Sequence, residues 1–223
     1  LQWLINPEKL KIIASIPVKG LSKKLNNKYL LEYTILSLKK SKYVKNIFVS
    51  TDNNKTKNIA KSLGAETPFL RSKKYSLPSI NLENVQQYTI NRLEKKFLIP
   101  DLFLHVEETF PFREELLFDK MIDKLLNKGF DTVIAARKEF RVAWQENQDE
   151  IFKRIDSGDK PRKYKENIMI GYPGLACVTY PEFVRNGKLI GNRVGLFEVD
   201  NQISFFEVRS TFSIKQAEKF IKL

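Results

Sequence analysis

The chain has 223 residues, 42% hydrophobic and 12% aromatic, which suits one domain with a substantial core and excludes a disordered chain. Its formal net charge of +13 points to polyanionic partners, and no apolar stretch approaches the roughly 18 residues of a membrane span. A lone cysteine, Cys177 in an apolar run, excludes an internal disulfide and fits a small core residue in a reducing cytoplasm.

Taken in chain order, the apolar run Ile12-Ile13-Ala14-Ser15-Ile16-Pro17 predicts a strand over 11–17, followed by a basic loop, Val18-Lys19-Gly20-Leu21-Ser22-Lys23-Lys24. A helix is expected at 30–42, then a strand at 46–50 that ends on Thr51-Asp52. Cations and a hydroxyl on a strand-end loop can neutralise phosphates, and a carboxylate ending the next strand adds a polar contact to the same crevice. Further helices are predicted at 54–63, 82–97, 114–128 and 213–222, and strands at 101–107, 131–137, 174–179, 194–199 and 203–209. In the fourth helix Leu116, Leu117, Met121, Ile122, Leu125 and Leu126 share a face, and Lys128-Gly129 supplies the stop.

Strand–helix alternation through residue 137 implies an α/β fold with a largely parallel sheet and helices on both faces. Residues 138–173 are polar and charged and break that rhythm, so they read as an arm protruding from a single domain over 1–223. Lys160 to Lys165 forms the one dense basic patch, with too little aromatic interleaving to make nucleic acid an expected partner. Leu1 to Ile5 is too short for a signal-peptide core, and a cytoplasmic location without membrane partners is expected.

Several ordered motifs resemble those of the acylneuraminate cytidylyltransferase family, which makes CMP-sialic acid and related activated sugars. They are Ile16-Pro17-Val18-Lys19-Gly20-Leu21-Ser22-Lys23, Leu30-Leu31-Glu32-Tyr33-Thr34-Ile35, Val49-Ser50-Thr51-Asp52, Leu63 to Arg71, Thr109-Phe110-Pro111-Phe112-Arg113 and Ala217-Glu218-Lys219. The resemblance implies a nucleotide-diphospho-sugar transferase-like fold with a mixed, mostly parallel sheet between helices, a homodimer paired through the arm, and Mg²⁺ as cofactor. The implied reaction is attack of a hydroxyl of an acidic sugar, such as a nonulosonic acid, on the α-phosphorus of CTP with release of pyrophosphate. Such chemistry rests on positioning and charge neutralisation more than on covalent steps.

Carried over residue by residue, Lys19, Lys23 and Lys28 take catalytic positions on the loop, and Ser22, Asp52, Arg71 and Ser79 the nucleotide contacts. Lys28 aligns either with the family's catalytic lysine or with a later structural one, because the loop is short and lacks the usual asparagine. Glu107, Thr109, Arg113, Arg162, Leu189 and Ile190 fall at sugar-binding positions. Glu107 and Glu108 replace a glutamine and a proline, so they either hold Mg²⁺ or indicate a different sugar. His105, the sole histidine, reads as a strand residue rather than a metal ligand. Where the family has Asp-x-Asp for the metal, this chain has Glu207-x-Arg209. Glu207 alone then holds the ion, with Arg209 replacing lost metal charge, or the two form a salt bridge in a relative that binds nucleotide or partners without catalysing.

Overall fold

Alternation along one strand, β1 (Ile12–Val18), divides the core in two. Ile12, Ala14, Ile16 and Val18 enter one large apolar cluster, while Ile13 packs into a separate one on the opposite face. The computed structural model describes residues 6–221 apart from 148, 150, 157, 165 and 167, together with every side chain in that range except that of Arg162.

After β1 come a two-residue hairpin, β2 (Lys24–Leu25) and β3 (Lys28–Tyr29), helix α1 (Leu30–Lys39) and β4 (Val44–Thr51). Helix α2 (Asn54–Ser62), α3 (Leu82–Glu94), β5 (Leu102–His105), α4 (Leu117–Lys128) and β6 (Thr132–Glu139) follow. The second half contributes β7 (Trp144–Glu146), β8 (Phe152–Arg154), β9 (Ile168–Gly171), β10 (Cys177–Thr179), α5 (Pro181–Arg185), β11 (Val194–Glu198) and α6 (Thr211–Ile221). The central sheet runs β11-β6-β10-β5-β1-β4, with β9 also on β6. Neighbours β1–β4, β1–β5 and β6–β11 are parallel, whereas β10 and β9 run antiparallel to theirs, so the sheet is mixed and mostly parallel as predicted.

Side chains of α1, α2 and α4 fill the cluster on one face, including Leu31, Ile35, Leu38, Ala60, Met121, Ile122 and Leu125. On the other face Leu93 and Ile90 of α3 pack with Phe48 and with Phe103, Val184 and Leu189. No described helix is long and apolar enough to cross a membrane.

Four expectations change. Residues 203–209 form no strand: a 3-10 turn, Gln202–Phe205, is started by Asn201, whose side chain accepts the Ile203 N–H, and an extended loop follows. The apparent alternation there came from Phe206 and Val208, which pack with the β2–β3 hairpin and α6. Leu116 is exposed, lies outside α4 and has φ of +58°, so the apolar face begins at Leu117. The arm is not wholly irregular, because β7 and β8 pair as a hairpin and β9 returns to the main sheet beside Ala136–Glu139. That return shortens the strand expected at 174–179 to Cys177–Thr179, since Tyr172–Ala176 must turn between β9 and β10.

Candidate functional site

The parallel strands all deliver their carboxyl ends to one edge of the sheet, where α/β folds place ligands. The loop after β1 is braced there by three neighbours. Gly20, with φ of +68°, donates its N–H to Asp52 Oδ1 at 2.8 Å, and its carbonyl accepts the Thr56 hydroxyl at 2.7 Å. Ser22 N–H donates in turn to Thr56 Oγ1 at 3.1 Å. The Ser22 hydroxyl is buried and donates to Glu108 Oε2 at 2.5 Å while accepting the Leu31 N–H at 3.3 Å. Ser22 and Asp52 therefore hold the loop's shape, and its open cation is Lys19.

The shortness of the loop is explained by the hairpin. Asn26 and Asn27 both adopt positive φ, as a two-residue primed turn between β2 and β3 requires. Lys28 follows that turn and pairs with Glu32 at 3.7 Å, on an exposed flank that does not line the cleft. Lys23 reaches across instead, and its ammonium donates to the backbone carbonyl of Arg209. The loop and the carboxyl-terminal segment thus meet.

Two cavities flank this meeting point. One, of about 350 Å³, is lined by Lys19, Arg71, Tyr75, Ser76, Glu107 and Arg209 among others. A second of the same volume, about 350 Å³, lies over Lys19, Leu21, Lys23, Glu108, Thr109 and Arg209. Lys19 and Arg209 are common to both, so the two form one cleft with a cation on each wall.

Arg71 sits beneath the first cavity. Its guanidinium donates to the carbonyls of Ser50 at 2.7 Å and Val18 at 3.1 Å, and to Ser76 Oγ at 3.2 Å. It ties together the ends of β1 and β4. Burial opposes ionisation of Asp52, but the Gly20 N–H, Ser76 and the Arg71 charge outweigh it and hold that carboxyl below its usual range. Ser76 makes these contacts; Ser79, expected from the motif, is exposed in the next turn and does not line the cleft. Tyr75, stacked on Tyr88 at 4.2 Å, supplies a flat wall that the motifs did not flag. Its proximity in sequence to Arg71 was the available signal.

At the far end Arg209 joins two carboxylates, Glu207 Oε1 at 2.5 Å and Glu107 Oε2 at 3.2 Å. Thr109 Oγ1 lies 3.3 Å from Glu207 Oε1 and 3.5 Å from Glu107 Oε2. Burial works against the charge on Glu107, but the His105 ring at 3.8 Å and the Arg209 and Arg113 guanidinium groups keep its pKa below the ordinary value. Behind it the Ser15 hydroxyl donates to Gln86 Oε1 at 2.6 Å, which turns the Gln86 amide N–H toward His105 Nδ1 at 2.7 Å. The imidazole proton then lies on Nε2, facing Glu107. Gly174 permits the crowding, since a Cβ there would stand 2.7 Å from Glu107 Oε1.

Arg113 is not free for a sugar. It donates to the carbonyls of Leu175 at 2.8 Å, Phe110 at 2.5 Å and Glu107 at 2.6 Å, and to Thr34 Oγ1 at 3.0 Å. Leu189 is buried in the core with Ile90 and Phe103, and half-exposed Ile190 does not line the cleft. Arg162 begins a 3-10 turn of the arm, and its side chain is outside the described residues.

Magnesium takes hard oxygen donors, usually one or two carboxylates with waters and phosphates. Glu107 and Glu207 offer that donor type, but Arg209 holds both, and no described cluster of three or more acidic, histidine or cysteine side chains could hold a metal. With Arg209 between them the pair does not fit a resident divalent ion. Arg209→Asp is expected to create such a site, read as Mn²⁺ binding by paramagnetic resonance without nucleotide; equal binding by the unaltered protein would contradict this arrangement.

Glu108 gives a pH signature. Burial, only partly offset by the Ser22 hydrogen bond and the Lys23 charge, raises its pKa from 4.5 to about 7. Between those values the folded chain keeps the proton that the unfolded chain has lost, so stability falls as pH rises through this window and levels off above it. Glu108→Gln is expected to remove the slope and to raise stability at pH 8 by about 1–3 kcal/mol, measured by thermal unfolding across pH 4–8.

A family model described as Cytidylyltransferase matches residues 16–205. Among known proteins, the chain is 25% identical over 231 residues to Post-translational flagellin modification protein B of Campylobacter coli, covering 95% of each. It is 24% identical over 181 residues to N-acylneuraminate cytidylyltransferase B of Danio rerio, which spans 77% of this chain and 38% of that protein. Of solved structures, 4-diphosphocytidyl-2C-methyl-D-erythritol synthase from Anaerococcus prevotii superposes with a TM-score of 0.71 at 16% identity, over 95% of this chain and 98% of the other. A CMP:2-keto-3-deoxy-manno-octonic acid synthetase solved with CTP gives 0.68 at 9% identity, with the same coverages of 95% and 98%. These two share the fold, and the family match runs through the loop, the strand-end carboxylate and the cleft residues up to Thr109, ending before Glu207 and Arg209. The chain is thus a nucleotidyltransferase that belongs to the cytidylyltransferase family.

Proposed function

We propose that the chain transfers the CMP group of CTP to a hydroxyl of an acidic sugar and releases pyrophosphate. The carrying observation is the single cleft walled by Lys19 and Arg209, with a flat tyrosine at one end and paired carboxylates at the other. The base lies against Tyr75 and Ser76, above Arg71, and the triphosphate runs past Lys19 toward Lys23. Attack of the sugar hydroxyl on the α-phosphorus forms one P–O bond as the bond to pyrophosphate breaks, and the hydroxyl proton is released to solvent. Lys19 and Lys23 stabilise the charge that gathers on the departing phosphates. Arg209 takes the cation's part at the Glu107–Glu207 pair, with magnesium confined to what CTP carries on its own phosphates.

The test is pyrophosphate release with CTP and a panel of eight- and nine-carbon 2-keto sugar acids, with ATP, GTP and UTP as comparisons. Turnover with CTP and one acid is the expected result. Turnover with none of the acids, although CTP raises the melting temperature, would overturn the sugar part of the reading.

Pairing of two copies through the arm is part of the same proposal. Trp144, Ile151, Phe152 and Tyr164 are each more than half exposed there, and grouped apolar exposure of this kind marks an interaction surface. Light scattering is expected to give about twice the 26.1 kDa chain mass, falling to one chain mass in the Trp144→Asp/Phe152→Asp variant. A monomeric unaltered protein would contradict the pairing.

A further inference from the structure

Among the described residues four arginines gather at the carboxyl edge of the sheet, and three of them are already committed, Arg209 to Glu107 and Glu207. Arg71 is held by the carbonyls of Val18 and Ser50, and Arg113 by those of Glu107, Phe110 and Leu175. Arg137, near the end of β6, differs. Among the described residues its one polar contact is a 3.5 Å approach to Glu139, and its buried Nε–H has no partner there. Glu139 takes the N–H groups of Phe140 at 3.0 Å and Arg141 at 2.9 Å on Oε1, and its Oε2 meets Arg137 at Nη2 alone, so the Nε–H side of the fork is left without an acceptor. A buried guanidinium N–H without an acceptor is costly unless a ligand supplies one.

The guanidinium lies 5.7 Å from the centre of the Tyr172 ring, which leaves its edge available for an in-plane acceptor. Both line a cavity of about 320 Å³ whose other walls include Phe205, Phe206, Phe220 and Gln202. Two runs of contacting residues connect this cavity to the reaction end of the cleft, with which it shares no lining residue. Tyr172 meets Phe110 edge-on at 6.3 Å, Phe110 abuts Gly174, and Gly174 abuts Glu107. Phe206 is followed directly by Glu207.

We propose that this cavity is the acid-recognition subsite, in which Arg137 forks the substrate carboxylate and the aromatic wall takes the apolar substituents of the sugar. The assignment rests on the acidic-sugar reading above. It places the carboxylate on β6, whereas the sequence motifs had pointed to Arg162 in the arm. A carboxylate there receives two parallel N–H donors, including the unpartnered Nε–H, the arrangement that makes arginine selective for planar anions.

The test combines calorimetry and kinetics on the full chain, titrated with the same panel of 2-keto sugar acids and with CTP. One acid is expected to bind the unaltered protein. Arg137→Gln should weaken that acid roughly 10–100-fold and raise its KM to match, with the KM for CTP changed less than about twofold. Arg137→Lys should recover only part of the loss, because an ammonium cannot make the fork. Preserved CTP binding in both variants shows that they fold. Unchanged acid affinity in Arg137→Gln would overturn the subsite and leave the transferase reading intact. If the unaltered protein binds CTP but none of the acids, both the subsite and the acidic-sugar reading fail.

Discussion

Lys19→Ala is expected to lower kcat/KM for CTP by about 10²- to 10³-fold, the usual loss when one preorganised charge donor is removed from developing negative charge. Lys19 is exposed, lines both halves of the cleft, and makes no ion pair among the described residues, so its charge is available to the triphosphate. Its neighbours on the loop hold the frame instead, through Asp52 under Gly20 and Glu108 under Ser22. Because the lysine packs against nothing that the fold requires, thermal unfolding of the variant should stay within about 0.5 kcal/mol. Lys28→Ala provides the contrast. That residue makes only an exposed i,i+4 pair with Glu32, so steady-state pyrophosphate release should change less than about twofold. Equal losses at the two positions would move the triphosphate away from the strand-end loop.

Arg113→Ala is expected to produce the largest stability loss, about 3–5 kcal/mol, the range for leaving buried polar partners without their charge. The guanidinium gathers the carbonyls of Glu107, Phe110 and Leu175 and the hydroxyl of Thr34, which belong to three different stretches of chain. Burial lowers its pKa to about 9 against the opposing pull of Glu107, which still leaves it cationic at neutral pH. For a chain of this length each kcal/mol shifts the melting temperature by about 2–4 °C, so scanning calorimetry should show a fall of about 6–20 °C. Arg113→Lys should recover little, since one ammonium cannot span acceptors that a planar fork reaches. A fall below about 2 °C would mean that these carbonyls find other donors.

The frame of the cleft was legible in the sequence because local rules act there. Strand runs ending in a basic loop or in Thr51-Asp52 fix the direction of β1 and β4, and periodicity fixes the faces of α1 and α4. What failed was the division between residues that build the site and residues that face it. Ser22, Asp52, Arg71 and Arg113 carry groups suited to ligands, yet each is turned inward by a partner distant in sequence: Glu108, Gly20, Val18 and Leu175 respectively. Such pairings depend on tertiary geometry and leave no local pattern. Arg137 was overlooked for the same reason, as its isolation becomes visible only when the acceptors around it are identified.

The strand expected at 203–209 shows a related limit. Phe206 and Val208 alternate because the β2–β3 hairpin and α6 cover them, without any ladder partner for their backbone. Even so, Glu207 and Arg209 end on the same side, because the Lys23 ammonium and Glu107 grip Arg209 from two directions. The juxtaposition proposed from the motif spacing is therefore present, held by different bonds.

Following each phosphate of CTP separates cytidylyl transfer from every other use of the nucleotide. With the accepted sugar acid, label in the α-phosphate should appear in the sugar product and label in the γ-phosphate in pyrophosphate, one for one. Label from the γ-phosphate on the sugar, or α-label remaining in free CDP or CTP while the acid is consumed, would rule out transfer of CMP.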